Sequence, residues 1–151
     1  MFGRHKSPDK RAADTIALTK SFVIASFIPL LNDGTLPKHV SSKAWDTLAI
    51  VAGIYAVMAH LKGSDSDQYA IYGSPLISAL RDEVKQGQAA LEDCVKFVGK
   101  IPPEQMEATV GLWLLWNLLG RQPEYDEAKH AGVIGGMVYR LAIEAWTAVA
   151  H

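Results

Sequence analysis

Cysteine is almost missing from this chain of 151 residues: Cys94 stands alone, which excludes an internal disulfide framework and any multi-cysteine zinc site. Charge is scarce and balanced as well. Charged residues make up 21% of the chain, 15 Lys and Arg against 16 Asp and Glu, and a net charge of −1 argues against a dedicated nucleic-acid binder. Three other features are absent: a Gly-rich loop leading into Lys-Ser/Thr to cradle phosphate, a G-x-S-x-G nucleophile elbow, and a run of alternating apolar and polar residues convincing enough to found a sheet. Disorder is excluded from the opposite side, because 49% of the residues are apolar. A chain this long buries roughly 68 to 70% of its unfolded surface, so its core needs no staple.

What remains is helical punctuation. The pattern predicts an all-α single-domain bundle spanning residues 1–151, with about five helices around an apolar central one and a flexible basic N-terminus over residues 1–7. Ser7-Pro8-Asp9 supplies a cap, a first-turn proline and an acid for the positive end of the first helix, which Pro29 should stop near Ile28. Ser41 or Ser42 caps a second helix from about Lys43 to Leu61. Within it the twelve residues Leu48 to Ala59 carry no hydrogen-bonding side chain apart from the Tyr55 hydroxyl. Such a segment is marginal against the ~20 residues of a membrane span and fits a central core helix.

Gly63 to Gly73 is polar enough to read as the longest surface loop, followed by a third helix from Ser74-Pro75 to Val98. Its inner stripe is Ile77, Leu80, Val84, Gly87, Leu91, Cys94 and Val98, and Gly87 weakens it enough to allow a kink. A fourth helix follows Pro102-Pro103, with an unbroken apolar stretch from Val110 to Trp116. A fifth runs from Pro123-Glu124 to the terminus. Its row of small residues, Ala128, Gly132 and Gly136, is expected to pack on the Ala/Gly side of the second helix.

No catalytic or metal-binding constellation assembles. Glu127 and His130 have the Glu-x-x-His spacing of carboxylate-bridged di-metal bundles, but that chemistry needs two such pairs and there is one. A haem pocket lacks a histidine at a useful position, and Cys94 lies on an inner stripe where cysteine behaves as a small hydrophobe. Asp65-Ser66-Asp67 opens like a calcium loop, yet positions six and twelve are Ala70 and Leu76 where Gly and Glu are required. His60 reads as a helix-end residue that meets terminal carbonyls.

Residues 1 to 20 hold five bases, Arg4, Lys6, Lys10, Arg11 and Lys20, against Asp9 and Asp14. This local excess reads as a solvated helix start, with an anionic membrane surface as the alternative partner. Thr15 to Leu31 is a poor signal-peptide core, interrupted by Lys20 and followed by no clean cleavage site, so a cytoplasmic protein is expected.

The leading expectation is therefore a non-catalytic helical protein that acts through protein–protein contact, self-associating as a homo-oligomer or holding a protein partner, with no cofactor and no nucleic acid. Candidate contact residues are the aromatic and apolar group Tyr69, Ile71 and Tyr72, and the four-spaced pair Arg140 and Glu144 amid apolar neighbours. The alternatives are a bundle that binds an apolar ligand or a membrane surface, and an enzyme whose residues converge from distant helices.

Overall fold

The computed structural model describes residues 6–99 and 101–150, and among these there is no strand. Six long helices and one single turn form the bundle: α1 (Pro8–Asn32), α2 (Ser42–Ser64), α3 (Ser66–Glu83), α4 (Gly87–Val98), α5 (Met106–Leu119), the one-turn α6 (Tyr125–Ala128) and α7 (Ala131–Ala148). The all-α single bundle expected from the pattern is present, with one more long helix. Of the N-terminal stretch expected to be flexible, residues 1–5 lie outside the described residues, while Ser7 caps α1 by accepting from the Lys10 N–H at 3.2 Å.

The second helix is central, as its composition requires. From Ala49 to Ile54 every residue of α2 is buried, and α2 packs against α1, α3, α4, α5 and α7. Ser41 caps it through the Ala44 N–H at 3.0 Å, and the Trp45 indole N–H donates to the Val23 carbonyl of α1 at 3.0 Å. A helix without a polar face gains stability only where neighbours remove it from water on every side.

Four boundaries differ from the sequence reading. Pro29 does not stop α1, which continues to Asn32. Pro29 and Ala25, whose carbonyl loses its partner, are both exposed, so water replaces the missing bond.

The polar segment after Gly63 is no loop. Asp65 accepts from the Gln68 N–H at 3.1 Å and starts α3 at once, so Ser74-Pro75 falls inside the helix. Tyr69, Gly73, Leu76 and Leu80 repeat at four and three residues, and Gly73, Leu76 and Leu80 are buried.

The long helix expected over 74–98 is broken in two. Val84 is extended, Gln86 is left-handed at φ 62°, and α4 restarts at Gly87, where a Cβ would stand 3.0 Å from the Leu80 carbonyl oxygen. The stripe survives the break, since Leu91, Cys94 and Val98 remain buried.

The last predicted helix is also divided, at Lys129-His130, one turn after the capping box of Glu124 and Glu127 has opened α6. Its small row does not pack on α2. A Cβ at Gly132 would meet nothing within 4 Å, and one at Gly136 would meet only the Glu107 carboxylate. The face of α7 turned to α2 carries Val138 and Ala142, which lie 4.0 and 3.2 Å from where a Cβ of Gly53 would be.

The glycine that packs tightly is Gly135. A Cβ there would fall 1.8 Å from the Glu107 carbonyl oxygen, and one at Gly111 would fall 1.7 Å from that of Ala131, so α5 and α7 touch backbone to backbone. Gly135→Ala should therefore destabilise the fold by about 2 kcal/mol and lower Tm by roughly 4 to 8 °C, whereas Gly132→Ala should leave Tm unchanged or raise it. Equal Tm values for the two variants in a thermal melt would contradict this contact.

Candidate functional site

The basic residues at the start of α1 are engaged inside the molecule. Lys6 and Lys10 pair with Asp14 at 2.8 and 3.0 Å and hold its carboxyl below the usual range, and Lys20 reaches Glu83 of α3 at 2.7 Å. Arg11 is 8% exposed. Its guanidinium lies 3.4 Å from the Trp146 ring centroid and 5.1 Å from that of Tyr72, and Nη2 donates to the Trp146 carbonyl at 3.1 Å. The cation thus covers an aromatic pair packed edge to face at 4.9 Å and caps a carbonyl in the last turn of α7. The sequence reading placed Arg11 among solvated bases; the aromatic partners that bury it are distant in the chain.

Tyr69, Ile71 and Tyr72 do not make one surface. On a helix successive residues turn by about 100°, so this group fans out around α3. Tyr72 is held between Arg11 and Trp146, and Ile71 is 52% exposed. Tyr69 lines an open groove of about 410 Å³ between α2, α3 and α4, whose apolar lining includes Tyr55, Met58, Leu91 and Val95. Two bases, Lys62 here and Arg81 in the adjoining hollow, face this region, and no acid does.

Arg140 and Glu144 are both exposed, and no ion pair joins them. Arg140 lines a second groove of about 470 Å³ between α5 and α7, together with Glu107, Gly132, Val133, Gly136 and Met137. Val133 is 60% exposed at its side. Glu107 sits in the first turn of α5, where a carboxylate complements the helix dipole. Its Oε2 lies 3.1 Å from where a Cβ of Gly136 would be, and it adds to the burial that pushes the Tyr139 phenol up. Neither Glu107 nor Arg140 has an ion-pair partner among the described residues. The place of Glu107 beside Gly136 follows from the Gly135 contact, which no local pattern reveals.

Among the described residues no group of three or more His, Cys, Asp or Glu is placed to hold a metal ion. Glu127 is committed elsewhere: Arg121 grips both its oxygens at 2.8 and 3.0 Å, and the Glu124 N–H donates to it at 2.8 Å. Cys94 is buried, and desolvation reinforced by Asp93 pushes its thiol up to about 12, which leaves almost no thiolate at neutral pH. Burial also raises Asp46, whose Oδ1 lacks a hydrogen-bond partner, as does the Thr19 hydroxyl.

Among the described residues two helices are long and apolar enough to cross a membrane by length and composition. They are α1, with an 18-residue window of mean hydropathy 1.5 that is 33% buried, and α2, with 1.4 and 56%. No family model, curated protein or solved structure matches the chain.

The Arg121–Glu127 pair generates a pH-dependent prediction. The guanidinium first, and the Glu124 N–H second, lower the Glu127 pKa from 4.5 to about 2, so the pair contributes stability above about pH 4.5 and loses it as pH falls towards 2. Arg121→Ala should return the Glu127 pKa most of the way to 4.5 in a carboxyl NMR titration. A wild-type value already near 4.5 would contradict the pairing.

Proposed function

We propose that this chain is a non-catalytic helical interaction protein that associates with a second copy of itself in the cytoplasm. The observation that carries the reading is the groove between α5 and α7, where an exposed valine and two opposite charges without ion-pair partners border a helix face that no other element covers. A monomer leaves both charges to water and Val133 exposed. An interface between copies would cover the apolar part and use the charges to fix register. The chemistry of the described residues supports the same reading: the lone thiol is buried and protonated, and Glu127 is tied to Arg121. Sedimentation velocity over a hundredfold range of concentration should show a species of twice the 16.4 kDa chain mass gaining at the expense of the monomer. A single 16.4 kDa species throughout would overturn the proposal.

A second reading, binding to a membrane surface, draws on a different observation. Ile24 and Ile28 on α1 are 46% and 57% exposed, four residues apart on one face. Against it, Lys6, Lys10 and Lys20 are held by acids of the same chain and Arg11 is buried, so these four bases are engaged within the molecule and not free for anionic headgroups. Co-sedimentation with anionic vesicles at low salt, lost in the Ile24→Ser, Ile28→Ser double variant, is the outcome this second reading requires. Free protein in the supernatant at low salt removes it.

A further inference from the structure

We infer that two copies of the chain meet in an antiparallel two-fold crossing of α7 on α7 at Gly136, which sets Arg140 of each copy against Glu107 of the other. The inference rests on the self-association proposed above and assigns its seam.

The first argument is charge. Glu107 and Arg140 line one groove, carry opposite signs, lie beyond ion-pair distance of each other, and have no other ion-pair partner among the described residues. A two-fold interface uses the same patch twice, so it must be complementary to itself. A patch with one acid and one base meets that condition, and each contact is then made in duplicate. The other open faces meet it less well: the α1–α3 groove holds Asp9, Asp82 and Glu83 with Lys20, but Lys20 is already paired with Glu83, which leaves an excess of acid. The α2–α3–α4 groove presents Lys62 and Arg81 without an acid, so a second copy of it would bring like charges together. On the exposed α1 stripe of Ile24 and Ile28 the charge one turn earlier, Lys20, is already paired with Glu83.

The second argument is register. In an antiparallel crossing at Gly136, residues equally far before and after it face each other, so Arg140 comes opposite Gly132 of the other copy. Nothing lies within 4 Å of a Cβ at Gly132, which leaves space for the arginine stem, and Glu107 lines the same groove within reach of its head. A parallel crossing would place Arg140 on Arg140 and is disfavoured by repulsion. In the antiparallel arrangement Glu144 points towards the Lys129 end of its mate.

The third argument is economy of residue choice. Glycine weakens a helix relative to alanine, most in the interior, where Gly136 lies, and less in the first turn, where Gly132 lies. Gly111 and Gly135 are required by the α5–α7 contact, but no contact within the chain requires Gly132, and only a flexible carboxylate borders Gly136. Val133 beside them is exposed. A second helix laid across this side accounts for all three.

The test is a charge exchange read by sedimentation, with thermal melts as a control of fold. Glu107→Arg and Arg140→Glu should each raise the dimer Kd at least about tenfold, since each converts two attractive pairs into two repulsive ones. The chain carrying both exchanges should recover a Kd within a few-fold of wild type. Because Glu107, Arg140 and Val133 are exposed, their variants should fold, with Tm within a few degrees of wild type at concentrations where the wild type is monomeric, and Val133→Asp should also dissociate the dimer. Gly136→Cys should form a disulfide-linked dimer on mild oxidation, while buried Cys94 stays silent. A wild-type dimer whose Kd ignores the single exchanges, or a double exchange that fails to recover, overturns the seam and leaves self-association standing. A wild type that is monomeric at all concentrations overturns both.

Discussion

A helix with no polar face must be covered on every side, and α2 imposes that requirement on the whole chain. Between Ala49 and Ile54 it offers no residue that tolerates water, so α1, α3, α4, α5 and α7 are distributed around it. Small residues along α2 decide how close each neighbour comes: at Gly53, Thr19 of α1 and Ala142 of α7 approach from two directions at once. The neighbours must then pack on one another, and α5 and α7 do so through Gly111 and Gly135 with no side chain between their backbones. Polar links at the rim tie the outer helices together: Trp113 of α5 donates to Asp93 of α4 at 2.9 Å, and Lys20 of α1 holds Glu83 of α3.

The end of the bundle is closed by Arg11. A buried cation is costly unless its charge is answered, and here two aromatic faces and one helix-terminal carbonyl answer it without a carboxylate. Nε is left without a partner. Because Tyr72 belongs to α3 and Trp146 to α7, one side chain fixes three helices relative to each other. The same arrangement removes the most central of the N-terminal bases from the surface. With Lys6, Lys10 and Lys20 held by acids, the described bases of the N-terminal stretch form no unpaired positive patch.

Local rules were sufficient where the deciding partners lie within a turn or two. The Ser7 and Ser41 caps, the left-handed Gly120 after α5 and the inner stripe of α4 could all be read from spacing and residue type. They were insufficient where two local signals compete. Asp65 and Ser74-Pro75 are both helix starts, and the earlier one prevails because Tyr69 and Gly73 continue the periodicity of Leu76 and Leu80. Three glycines of α7, at 132, 135 and 136, are indistinguishable by sequence. The one that faces α5 is set by Glu107 and Ala131, contacts the chain makes only after folding. Arg140 was visible as a surface candidate for the same reason that Glu107 was not: one is a charge amid apolar residues on its own helix, the other matters through a neighbour.

The two sides of α7 pose one physical question with different answers. On the inner side, removal of the side chain at Gly135 is matched by a backbone approach that no other residue permits, so the entropic disadvantage of glycine is offset within the chain. On the outer side, Gly136 carries the same disadvantage and Gly132, in the first turn, a smaller one, and among the described residues the only neighbour is the end of Glu107. Stability of the isolated chain favours alanine at Gly132. A sequence that keeps glycine there retains a flat, close-approach surface bordered by an exposed valine and by one charge of each sign. That surface is what the proposed two-fold contact would cover.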